Sequence, residues 1–141
     1  MAIAWREQLS VGNNIIDEDH KYLIEIINKV EVCLARKDMA ALKAELTRLH
    51  DYSLLHFDRE EKIATAVGYE QTPGLQQSHQ SLMEKLGKMQ SDFVNAEQTW
   101  SPELTKGFAD FLRNWLIDHV IKEDLLMKPV LQKHSPAFSP R

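Results

Sequence analysis

Four stretches of this chain repeat their apolar residues at three- and four-residue steps, and each is bracketed by signals that start or stop a helix. The first begins near Asp17 and carries Leu23, Ile26, Ile27, Val30 and Leu34, with Arg36-Lys37 in its last turn, where cations suit the helix dipole. Asp38 can cap the second, which carries Leu42, Leu46, Leu49, Ser53, His56 and Ile63 and stops near Gly68. Thr72-Pro73 reads as a cap followed by proline at the first helical position, opening a third stripe of Leu75, His79, Leu82, Leu86, Met89 and Phe93. The polar run NAEQTW breaks that pattern, and Ser101-Pro102 repeats the start signal. The fourth stripe holds Leu104, Phe108, Phe111, Leu112, Trp115, Leu116, His119 and Val120, until Pro129 ends or kinks it. Long amphipathic helices joined by short loops imply an all-α, up-down-up-down four-helix bundle. Residues 1–16 read as an N-terminal arm lying on the body, 17–131 as the bundle, and 132–141, with two prolines and little to bury, as a frayed tail.

A chain of 141 residues is enough for one domain with a core that needs no cross-links. Its single cysteine, Cys33, reads as a small buried apolar residue and suits a reducing compartment. The net charge is −4 with the acids dispersed, so nothing argues for a nucleic-acid partner. The opening residues lack the features of a signal peptide, and no apolar run approaches membrane-spanning length. The expectation is a cytoplasmic protein without a membrane partner, as a monomer or weak homo-oligomer.

The histidines do not fit an ordinary bundle. His56 follows Leu49 by seven residues, His79 lies between Leu75 and Leu82, His119 follows Trp115 by four, and His20 sits near the start of the first stripe. One histidine on an apolar face is usually a hydrogen-bonded core residue. Several on different helices suggest a shared ligand. Glu60, four residues after His56, shares its face, and an inward carboxylate needs a partner. Imidazole with carboxylate suits iron, zinc or manganese, and facing helices of a bundle are where two-metal sites are built. His50, six residues before His56, lies off that face, and His134 lies beyond Pro129.

Taken in order, Trp5, Leu9-Ser10-Val11-Gly12, Ile16-Asp17, His20-Lys21, His56-Phe57, Glu60-Glu61, Gly68-Tyr69, Trp115-Leu116, His119 and Asp124 resemble the hemerythrin family, specifically its single-domain bacterial members. The resemblance spans residues 5–131, and a member of this family is a standard example of the up-down-up-down bundle. It implies a non-haem centre of two iron ions, joined by an oxo or hydroxo bridge, that binds O₂ or a small anion for storage, delivery or sensing. On the family pattern His20 and His56 are terminal ligands of one iron. Glu60 and Asp124 bridge both irons, and His79 and His119 are terminal ligands of the other. Leu23, Phe57, Trp115, Leu116 and Val120 match or flank an apolar pocket for O₂. Asp17 is either a helix cap or a hydrogen-bond partner of a ligand histidine.

Two positions strain the match. The family places a histidine where this chain has Leu75; a shifted frame that makes His79 the first of the pair puts Met83 in the second place, so either frame lacks one histidine. In addition, His119 and Asp124 are five residues apart and diverge by about 140° on an ideal helix. Helix geometry alone points to Glu123. The resemblance points to Asp124, with a locally widened turn closing the gap. The missing histidine implies weaker retention of one metal, and it strengthens an alternative in which an open di-iron site is an enzyme acting on peroxide, nitric oxide or ferrous iron.

Overall fold

Side-chain caps fix the starts of three of the four long helices. The computed structural model describes residues 2–95 and 101–140. Helix α1 spans Asn14–Arg36, α2 Met39–Ala66, α3 Thr72–Asn95 and α4 Pro102–Asn114. Asn13 caps α1 by accepting from the N–H groups of Ile15 and Ile16, at 3.0 and 3.2 Å. The helix therefore starts three residues before the predicted Asp17, because Gly12 at φ 84° turns the chain and Asn13 supplies the cap. Asp38 caps α2 through Ala41 N–H, and Ser101 caps α4 through Leu104 N–H with Pro102 at the first turn. Thr72 is not a cap. It is the first residue of α3, and its hydroxyl donates back to the Tyr69 carbonyl at 2.6 Å. The predicted break at NAEQTW falls mostly on residues 96–100, outside the described residues.

The fourth helix changes pitch. After Asn114 it widens into a π-helical segment, Trp115–Ile121, then resumes as a short α5, Lys122–Leu125. A last turn, α6, spans Lys128–Leu131, with Pro129 in its first turn. Helix α1 packs along α2 and α2 along α3, while α4 with its π segment lies against both α1 and α3. The result is the antiparallel four-helix bundle expected from the periodicity.

The core consists of two apolar clusters. The larger includes Leu23, Ile27, Leu49, Phe57, Leu82, Leu112, Trp115, Leu116 and Val120. The smaller includes Val11, Ile16, Ile63, Ala64, Leu75, Met127 and Leu131. Both ends of the chain fasten onto the body. Ile3 exchanges two hydrogen bonds with the Asn28 side chain, at 2.8 and 2.9 Å, and Lys21 lies over the Trp5 ring. The C-terminal tail is tied down rather than frayed: Asn14 N–H donates to Pro136 O, the Asn13 amide donates to Phe138 O, and Phe138 packs against the smaller cluster. Cys33 is buried and unpaired, with its thiol pushed up by burial. Among the described residues no helix is long and apolar enough to cross a membrane.

Candidate metal centre

Between the two apolar clusters lies a thin polar layer. On α1, His20 stands between Ile16 and Leu23; on α2, Glu60 stands between Phe57 and Ile63; on α3, His79 stands between Leu75 and Leu82; after the π segment, Asp124 stands between Val120 and Met127. Each occupies a core-facing position of its helix, so each points inward for the reason its apolar neighbours do.

Three of these side chains converge with His56, which lies one turn before Glu60 on α2. One ligating atom from each of His20, His56, Glu60 and Asp124 can be chosen so that all lie within 4.8 Å of one another. All four residues are at most 1% exposed. His20 Nε2 is 2.7 Å from Asp124 Oδ2, and His56 Nε2 is 2.9 Å from Glu60 Oε2 and 3.6 Å from Asp124 Oδ2. The contacts do not satisfy the groups: His56 Nε2, His20 Nδ1, both Glu60 oxygens and Asp124 Oδ1 lack a partner in hydrogen-bonding geometry. Buried polar atoms without partners are costly, and a cation among them would engage several at once.

The electrostatics agree. Burial and the neighbouring Asp124 carboxylate push Glu60 up to about 7. Burial also acts to raise Asp124, but its short contacts with Glu60, His20 and His56 outweigh that and hold it below the usual carboxylate range. Burial holds His20 below its ordinary value. His56 is also opposed by burial, yet contacts with Asp124, Asp19 and Glu60 raise it well above. Without a cation the two carboxylates and two imidazoles share protons among themselves. With one, the imidazoles can be neutral and the carboxylates charged, the forms that ligate metals.

A residue not singled out in the sequence orients one of these ligands. Asp19, 2% exposed, accepts from His56 Nδ1–H at 3.0 Å, from the Tyr52 hydroxyl at 2.6 Å and from Arg59 at 3.3 Å. The His56 ring is thereby turned so that Nε2 faces the cluster, the carboxylate–histidine arrangement common at metal sites. Its three partners all lie on the next helix, α2. Asp17 has neither expected role. Its carboxylate accepts from Ser10 Oγ and from Val11 N–H, and it binds the N-terminal arm to α1.

The side of the layer nearest α3 is less complete. His79 is 4% exposed, with Nε2 3.2 Å from Glu60 Oε1 and Nδ1 2.7 Å from Glu61 Oε2. Its ring stacks on Phe57 at 3.9 Å. Burial acts to lower this imidazole, but Glu60 and Glu61 outweigh it and raise it. Leu75, where the resemblance led us to expect a histidine, is 3% exposed and packed into the smaller apolar cluster.

The expectation that His119 faces the centre is corrected by the π segment. A widened turn repeats after five residues, so the buried positions that follow Trp115 and Leu116 are Val120 and Ile121. His119 falls between them and is exposed, next to Asp118, which pairs with Lys122. The same widening carries Asp124 into the core, while Glu123 turns toward α3 and accepts from the Ser78 hydroxyl at 2.7 Å. Asp124 rather than Glu123 is thus the buried carboxylate of this turn, and His119 is not turned inward. His50 and His134 lie away from the centre, beside Asp51 and Phe138. Leu23, Phe57, Trp115, Leu116 and Val120 are all buried in the larger cluster, and Trp115 Nε1–H donates to Leu82 O at 2.9 Å.

Comparisons with known proteins point the same way. The model of the hemerythrin HHE cation binding domain matches residues 11–131. A bacteriohemerythrin of Pseudomonas aeruginosa is 29% identical over 122 residues, covering 86% of this chain and 76% of that one. A bacteriohemerythrin of Methylococcus capsulatus is 27% identical over 133 residues, covering 93% and 98%. A crystal structure of wild-type hemerythrin superposes with a TM-score of 0.77 at 25% identity, over 93% of this chain and 98% of that one. With the bundle, the polar layer and a family match across nearly the whole chain in agreement, this protein belongs to the hemerythrin family.

Proposed function

We propose that this chain is a non-haem iron protein that binds O₂, or a small anion in its place, at the centre between its helices. The supporting observation is the convergence of His20, His56, Glu60 and Asp124, fully buried and with ligating atoms left without partners. Two imidazoles and two carboxylates form a nitrogen–oxygen donor set that suits ferrous and ferric iron. Iron bound there would supply the electrons for reversible interaction with O₂. The chain's own residues would do the rest. Asp19 holds the His56 ring in its ligating orientation through Nδ1–H. Leu23, Phe57, Trp115, Leu116 and Val120 wall the centre with apolar surface and keep bulk water from it.

The two-iron centre with an oxo or hydroxo bridge, implied by the family pattern, needs nitrogen donors on the α3 side as well. His79 lies beside Glu60 there, and His119 does not. Storage, delivery and sensing all follow from the same binding step, and the choice between them lies with partners.

A second reading has one observation in its favour. A groove of about 650 Å³, lined by Leu54, Phe57, Glu61, His79 and Met83 among others, reaches from the surface to the residues beside the centre. A site reached this way would suit an enzyme acting on peroxide, nitric oxide or ferrous iron. Absorption spectra of the iron-loaded chain, with and without air, separate the readings. A visible band that forms with O₂ and disappears on its removal supports the binding protein; repeated turnover of added peroxide supports the enzyme. A chain that takes up no iron refutes both.

A further inference from the structure

We infer that the resident centre of this chain holds one metal ion rather than a bridged pair. The inference rests on the proposal that the cluster binds iron, and it departs from the family pattern in the number of ions.

Two independent features carry it. First, the donors that converge are those of a single ion: His20, His56, Glu60 and Asp124 bring one ligating atom each within 4.8 Å of one another. Second, the other half of a pair has lost two of its three terminal nitrogens, for different reasons. Leu75 cannot ligate, and it is 3% exposed. It packs in an apolar cluster with neighbours such as Ile63, Val67 and Met127, where a hydrated second ion would have to displace apolar contacts. His119 is a competent ligand by type, but the π segment leaves it exposed and buries its neighbours Val120 and Ile121 in its place.

His79 then has a different place in the design. It is held by Glu61 on one nitrogen and faces Glu60 on the other, stacked on Phe57. It faces the Glu60 carboxylate from outside the ligand set and lines the groove.

The test is metal stoichiometry of the full chain, read in two ways. Native mass spectrometry of metal-free protein titrated anaerobically with Fe(II), and separately with Co(II), in the presence of a competing chelator is expected to level off at one ion per chain. Electron paramagnetic resonance of the air-oxidised iron form is expected to show the signal of isolated high-spin ferric ions accounting for all the iron. An oxo-bridged pair, whose spins cancel, would leave most of the iron silent. His119→Ala is expected to leave both readouts unchanged. Asp124→Asn, which keeps the shape of the side chain, is expected to weaken retention by more than the ~100-fold typical of outer-shell partners. Two ions per chain with silent iron, and a drop to one in His119→Ala, would overturn the inference while leaving the iron-binding proposal standing. Retention of no ion would overturn both.

Discussion

Replacing Asp19 by asparagine changes one buried charge and little else, and the structure says where the effect must appear. Asp19 accepts three donors: His56 Nδ1–H, the Tyr52 hydroxyl and Arg59. An asparagine oxygen can keep Tyr52 and Arg59, but its NH₂ group then faces His56 Nδ1, donor against donor. If the amide turns over to serve His56, it abandons the other two. Either way a hydrogen bond to a charged group is lost, which is worth about 1.5–3 kcal/mol. The bond matters most when His56 ligates through Nε2, because Nδ1 must then carry the proton. Most of the loss should therefore appear in metal affinity, as a drop of about 10–100-fold, equivalent to roughly 1.4–2.7 kcal/mol. Competition between the protein and a chelator for Co(II), run for wild type and Asp19→Asn, measures it, with circular dichroism to show that the bundle is intact. An affinity within about twofold of wild type would refute the reasoning, since outer-shell partners ordinarily command at least tenfold.

Other expectations are independent of that bond. Glu60, raised by burial and by Asp124 from the ordinary glutamate range to about 7, holds its proton more tightly folded than unfolded. Its contribution to metal-free stability is therefore present below its unfolded value and is lost as pH rises through about 7. Metal-free Glu60→Gln should lose less thermal stability than wild type over this window, and a steeper loss in the variant would contradict the assignment. Leu75→His buries an imidazole in an apolar cluster and should cost the metal-free protein about 1–3 kcal/mol. Added metal should recover more stability in this variant than in wild type, and chemical denaturation with and without metal reads both. Asn13→Ala removes the α1 cap and a bond to Phe138, so it should cost about 1 kcal/mol and make the tail more sensitive to proteolysis. Unchanged proteolysis would mean that Phe138 alone secures the tail.

Periodicity made the bundle legible, because helices that bury one face write that face into the sequence every three or four residues. Ser101 and Asp38 announced their caps for a similar reason: a short polar side chain before an apolar stripe has few other uses. The start of α1 was less legible, since the capping Asn13 is embedded in a Gly-Asn-Asn run that reads as loop. The tail was misread because its anchors are long-range, joining Pro136 and Phe138 to the first residues of α1, and no local pattern encodes such a contact. In the centre, His20, His56 and Glu60 stood out as polar residues on apolar faces of regular α-helices. Asp124 did not, because a 3.6-residue repeat points to Glu123. The change of pitch that brings Asp124 in also turns His119 out, and one residue of register decides both. Asp19 lacked a signal of the same kind: its partners Tyr52, His56 and Arg59 lie on the next helix, and their shared dependence on one carboxylate emerges only when α1 and α2 pack.

The most direct test of the centre is anomalous diffraction at the iron edge from crystals of the iron-loaded chain. A single strong peak within coordinating distance of His20, His56, Glu60 and Asp124 is expected. No peak among these four side chains, or a second peak of equal height beside His79 with His119 turned inward, would contradict it.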